Sequence, residues 1–101
     1  MSTWPAEIEG AVGARGLVVR WEHTDFTITS TTTPEELAAI ADRYNSPRWV
    51  LADWMDELAH VGQTAECIGI WAGFGSIPAV VMLRFRDGYE TQAWVTDVRF
   101  D

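Results

Sequence analysis

Ser46-Pro47-Arg48-Trp49-Val50-Leu51-Ala52-Asp53-Trp54-Met55-Asp56-Glu57-Leu58-Ala59-His60-Val61-Gly62 is the stretch on which the reading of this chain turns. Wound at about 100° per residue, it sorts into two faces. Val50, Leu51, Trp54, Met55, Leu58 and Val61 fall on one side, and Asp53, Asp56, Glu57 and His60 on the other. Trp49 lands among the acids, where a plain solvated face would carry no large ring. Ser46 is the expected cap and Gly62 the expected terminator of this helix. Asn45-Ser46-Pro47 separates it from the segment before, because a residue preceding proline disfavours helical geometry.

Working outward, Thr33-Pro34-Glu35-Glu36 reads as a second helix start. Thr33 can cap, Pro34 suits the first turn and Glu36 sits where a capping box needs it. This helix runs to about Arg43 or Tyr44, with Leu37, Ile40, Ala41 and Tyr44 on its apolar face. Upstream, Leu17, Val19 and Trp21 alternate with Val18, Arg20 and Glu22, the period of a strand. His23-Thr24-Asp25 is a turn. Phe26 to Thr29 is a second strand, expected to pair with the first as a hairpin. The glycine-rich piece from Pro5 to Gly16 holds Ile8 and Val12 at helical spacing, and Gly10, Gly13 and Gly16 weaken that helix.

Downstream, Glu66–Ala72, Ala79–Arg86 and Tyr89–Phe100 read as three strands. Asp87-Gly88 is a two-residue hairpin signal. That turn pairs Arg86 with Tyr89, Arg84 with Thr91, Leu83 with Gln92 and Val81 with Trp94. Val81, Leu83, Phe85 and Trp94 would then face the core, with Arg84, Arg86, Tyr89 and Thr91 outside. The order ββααβββ predicts one α+β domain over residues 1–101: an antiparallel sheet of about five strands with two short helices packed on one face.

The net charge is −8, and the chain contains no lysine. Residues 34–66 carry seven acids against two arginines, so most of the charge lies in the central third. This balance speaks against direct binding of nucleic acid, which needs cations to replace phosphate counterions, and against anionic membranes. It favours attraction to a basic partner. Six tryptophans exceed what one small core accommodates, so one or two are expected at the surface, where Trp serves interfaces. The single cysteine, Cys67, has no internal disulfide partner and suits a reducing, cytoplasmic setting. Met1 to Glu7 has no signal-peptide pattern, and no apolar run approaches the length of a membrane span.

No constellation in the sequence points to catalysis, and an enzyme is not expected. Glu57-x-x-His60 has the spacing of di-metal helix bundles, but those need a second such motif. His60 also stands four residues after Asp56, so an ordinary helical ion pair accounts for it. His23 and Asp25 lack a third ligand. Cys67 sits in an apolar strand without a nearby base. Gly69, Gly73 and Gly75 only superficially resemble a phosphate loop; a bulged strand followed by a glycine turn before Pro78 explains them. Neither a metal nor a cofactor is implied.

The expected function is that of a small acidic inhibitor that binds and blocks a larger basic protein. Such a partner would itself handle nucleic acid, as in a phage anti-defence protein or an immunity protein neutralising a nuclease toxin. In this reading the carboxylates imitate phosphate charge. The expected partner-binding residues are Trp49, Asp53, Asp56, Glu57 and His60, with Glu35, Glu36 and Asp42 on the preceding helix and Phe74 at the tip of a secondary contact loop. Two alternatives stand beside it. One is a homodimeric assembly module joined by sheet edges. The other is a small-ligand domain with Trp21, Trp71 and Trp94 around a cleft.

Overall fold

The computed structural model describes residues 12–71, 75 and 78–100. The expected N-terminal helix and Phe74 lie outside them, apart from residues 12–16. Seven strands and two helices follow in the order β1 (Arg15–Val18), β2 (Trp21–Glu22), β3 (Thr27–Ile28), α1 (Pro34–Arg43), α2 (Arg48–His60), β4 (Thr64–Trp71), β5 (Val80–Phe85), β6 (Glu90–Trp94) and β7 (Val98–Phe100). A 3-10 turn over Val95–Asp97 joins the last two. Five strands form an antiparallel sheet in the order β6-β5-β4-β1-β7, and β2 and β3 form a separate two-stranded ribbon. This is the α+β fold with a five-stranded antiparallel sheet and two helices that the sequence pattern predicts.

The core lies between the sheet and the helices. Val18, Ala65, Cys67, Val81, Leu83, Phe85 and Ala93 supply the sheet side, with Leu37 from α1 and Trp21 and Ile28 from the ribbon. Leu51, Trp54, Met55 and Leu58 of α2 pack against them partly buried. At the start of α1 the Thr33 hydroxyl accepts from the Glu36 N–H at 3.2 Å, the expected cap.

Several expectations are corrected by long-range contacts. Residues 17–22 are not one strand: the chain breaks at Val19 and Arg20, so β1 enters the middle of the large sheet while β2 leaves it for the ribbon. Val18 is therefore buried and Leu17 only half-buried, opposite to the simple alternation, while Trp21 stays inside. Asp97 produces the break. Its carbonyl accepts from Val19 N–H at 2.9 Å, its Oδ2 accepts from Glu22 N–H at 3.0 Å, and its Oδ1 lies 2.9 Å from Arg20 Nε.

Tyr89–Phe100 likewise divides in two. The Val95–Asp97 turn stops β6, and β7 pairs with β1 at the opposite edge of the sheet. In a flat sheet those edges lie about 19 Å apart, at about 4.8 Å per strand spacing. Trp94 to Val98 reaches at most about 14 Å of extended chain. The sheet must therefore curl at this end. The register shift between Cys67 and Gly69 in β4 is a bulge of the kind that bends a strand.

The β5–β6 hairpin has a three-residue loop in place of the expected two. Phe85 faces Tyr89 (Phe85 N–H to Tyr89 carbonyl, 2.8 Å), Gly88 N–H returns to the Phe85 carbonyl, and Gly88 takes φ +93°. That is a turn closed by a left-handed residue, which glycine adopts without strain. The register slips by one: Leu83 pairs with Thr91, Val81 with Ala93 and Val80 with Trp94. Every β6 side chain changes face. Ala93 occupies the core in place of Trp94, which is half-buried, and Tyr89 turns inward beside Phe85.

Ser46 does not cap α2; Pro47 holds that position. Ser46 belongs to the end of α1 instead. Its N–H donates to the Ala41 carbonyl at 2.8 Å and Asn45 N–H donates to Asp42, with Asn45 at φ +52°. This is a Schellman closure with Asn in the left-handed position. It makes the joint between the helices short and well defined.

Candidate functional site: the outer face of α2 and the cleft beside it

Arg48 to His60 forms α2 from residues of good helix propensity, with no glycine and with proline only before the first turn. Four of its residues define an outward stripe. Trp49 is 67% exposed, and Ala52, Asp53 and Asp56 are exposed beside it. Trp49 and Asp53 are four apart and Asp53 and Asp56 three apart, so their side chains are neighbours on one face. The stripe runs about 10 Å along the axis.

The surroundings leave this stripe free. Among the described residues, the ion pairs are Arg20–Asp97, His23–Glu57, His60–Asp87 and Arg84–Glu90, and none involves Asp53 or Asp56. Trp49 makes no aromatic pair with Tyr44 or with any other described ring. Tyr44, just before the helical joint, is also 52% exposed.

Glu57 and His60 are removed from this surface. They are buried, at 9% and 7% exposure, and each is engaged by a different part of the chain. Glu57 Oε1 lies 2.8 Å from Nε2 of His23, which follows the ribbon strand β2. His60 is held between two rings, with centroids 4.7 Å from Phe85 and 4.3 Å from Tyr89. Its Nδ1 lies 2.6 Å from the Asp56 carbonyl and its Nε2 lies 2.7 Å from Asp87 Oδ2. Burial of these two polar groups is tolerated because each has a partner. The helical wheel places His60 among the acids. Glu57, which the sequence reading grouped with them, lies at the border of the apolar face, about 20° from Val50 and about 40° from Asp53. The hairpin and the ribbon wrap far enough round α2 to cover that flank.

The remaining acids are scattered. Asp42 borders a groove of about 220 Å³ between α1 and α2, together with Arg48 and Leu51. Glu35 and Glu36 are exposed at the other end of α1, some two turns away. Tyr89 is an addition that the sequence did not suggest. Burial raises its phenol pKa, and the nearby charges of Glu57, Asp56 and Asp53 raise it further. Only the pairing of β5 with β6 brings Tyr89 there, and no local signal marks it.

On the flank where Glu57 is buried lies a cleft of about 210 Å³ between the ribbon, α2 and the β5–β6 edge. Trp21 and Trp94 line it, as in the small-ligand reading; Trp71 does not, and stands 55% exposed elsewhere. Glu57 enters it unforeseen.

Among the described residues no three His, Cys, Asp or Glu side chains converge to hold a metal ion. Glu57 and His60 in particular serve separate pairs. Cys67 is fully buried, and burial pushes its thiol pKa up, so it is held as the unreactive thiol. No described helix is long and apolar enough to cross a membrane. No protein-family model, curated protein or solved structure matches the chain.

Proposed function

We propose that this protein binds a larger, basic protein through the outer face of α2 and so inhibits it. The observation that carries the reading is the two-thirds exposed indole of Trp49, flanked on its helix by the unpaired carboxylates of Asp53 and Asp56. An exposed indole amid polar groups is the composition of an interface anchor with its rim. In a complex, Trp49 enters an apolar pocket of the partner while Asp53 and Asp56 meet its Arg or Lys side chains. The net charge of −8 accelerates the encounter and turns away acidic competitors.

The partner class is one whose working surface is basic because it handles nucleic acid. A carboxylate stripe competes for that surface as phosphates do. A nuclease toxin and a nucleic-acid-targeting defence complex both qualify. Burial removes Glu57 and His60 from the contact set, leaving Trp49, Asp53 and Asp56 at its centre.

The test uses a triple variant, Trp49→Ala with Asp53→Asn and Asp56→Asn. All three positions are solvent-exposed, so melting temperature should hold. Proteins retained by the wild-type chain from a host lysate are identified by mass spectrometry, and the most basic is purified for affinity measurement. A loss of about 100-fold in affinity, roughly 2.7 kcal/mol, is expected for the triple variant. Equal affinity of the two chains for that partner would reject the α2 face as the site.

A further inference from the structure

The cleft beside buried Glu57 carries an inference that goes beyond the docking reading and does not depend on it. Trp21, Trp94 and Val80 form its apolar walls, and Glu22, His23 and Glu57 its polar ones. A second depression of about 350 Å³ shares Glu22, His23 and Trp94 with it and extends the opening toward Pro78 and Thr96.

The polar groups are prearranged. His23 stacks on Phe26 (centroids 4.7 Å apart, 16° between planes) and directs Nε2 at Glu57 Oε1. This fixes the carboxylate while occupying one of its oxygens. The other, Oε2, has no hydrogen-bond partner among the described residues, and it is not among the buried atoms left without one. Glu57 is one of the residues that line the cleft. The Trp21 indole N–H is satisfied by the Gln92 carbonyl at 3.1 Å, which locks that wall. Among the described residues, no Arg or Lys side chain lines either depression.

A largely buried carboxylate with one free acceptor, in a cleft lined by two tryptophans, selects for a cation that can donate hydrogen bonds. A bare anion is repelled by Glu22 and Glu57. A neutral apolar molecule would leave the Glu57 acceptor unsatisfied, which costs binding energy. The part of the cleft beside Glu57, about 210 Å³, is below the roughly 300–1,000 Å³ of drug-sized sites, so the group held there is small.

We infer that this cleft is a binding site for a small primary amine, its ammonium donating to Glu57 Oε2 near Glu22 and its apolar body lying against Trp94. The cation–π attraction of the indole adds to the charge pairing.

The probe is 2-phenylethylammonium, with 2-phenylethanol as its uncharged counterpart. Binding is followed through the tryptophan indole N–H resonances by NMR and through calorimetric titration. The amine is expected to shift the Trp21 and Trp94 indole signals with a dissociation constant of about 1 mM or below, and the alcohol to bind at least tenfold more weakly. Glu57→Gln keeps an acceptor for His23 and removes the charge; it should weaken amine binding about tenfold or more. Glu22→Gln, at an exposed position, should weaken it severalfold without touching the fold. Equal binding of amine and alcohol would overturn the inference. So would indole signals that stay still at about ten times the expected dissociation constant, or wild-type affinity in both variants. Because Trp49 is remote from these walls, an amine site can fail while the α2 surface still binds its partner, and the reverse.

Discussion

Asp97 shows how much of the chain's path one side chain can decide. It is fully buried, and it gathers Val19, Arg20 and Glu22 from a segment more than 70 positions earlier. Nothing in Val95-Thr96-Asp97-Val98 marks that acid as different from any other in an alternating stretch. Asp87 acts at the other end of the molecule. The Tyr89 backbone N–H and then the His60 ring hold its carboxyl below the ordinary value of 3.8. A carboxyl that ionises more readily in the folded chain stabilises the fold wherever it is charged. That contribution is complete above the unfolded value of about 3.9 and is lost as pH falls through the lower folded one. Urea titrations of wild type and Asp87→Asn should therefore differ more at about pH 6 than at about pH 2. A gap independent of pH would show that Asp87 acts through shape alone. At this scale Trp49 was legible, because its place among acids follows from helical period. Glu57 and His60 were not, because their partners come from His23 and Asp87, which the period cannot locate.

Both helices formed where the sequence marks them, since proline positions and apolar period agree, although only α1 has its expected N-terminal cap. Strands were legible as segments but not as pairings. The one-residue slip in the β5–β6 hairpin exchanged Trp94 for Ala93 in the core and brought Tyr89 onto His60. A loop of two or three residues at Arg86-Asp87-Gly88 decides this, and Asp-Gly is compatible with either. The β1–β7 pairing depends on Gly16. A Cβ there would come within 2.5 Å of Val98 Cγ1 and within 2.8 Å of Phe100 Cε1. Gly16→Ala should cost about 1–3 kcal/mol by overpacking. Amide exchange should quicken first at Val98–Phe100, the edge strand that must yield. Uniform acceleration across the sheet would instead mean that β1 itself is displaced.

The whole molecule is a curled sheet with α2 laid across it, one flank of that helix covered and the other open. The covered flank contains the Glu57 cleft and the open one the Trp49 stripe, so a single helix supplies both proposed sites. The three-residue link from β6 to β7 holds the two sheet edges close together. Cys67 reports on the opening of the sheet. It is fully buried in β4 near the sheet centre, with its thiol pKa raised by burial. Its reaction with a disulfide reagent near neutral pH should be slow and should follow the denaturant dependence of global unfolding. A fast reaction with no denaturant dependence would reveal local opening of β4. Association with a basic partner should also slow as salt rises, since the charge of −8 acts over roughly the 8 Å screening distance of physiological ionic strength.

Local physics in the sequence determined the two helices, their caps at Thr33 and beyond His60, the antiparallel α+β class and the place of Trp49 among the acids of its helix. Each of these depends on residues within a turn or two of one another. Tertiary structure alone decided that His60 goes inside, that Glu57 meets His23 in a cleft, that residues 89–100 split between opposite edges, and that Ala93 rather than Trp94 fills the core. Those outcomes depend on partners tens of residues away, and on a strand period of two in which one extra loop residue reverses every face.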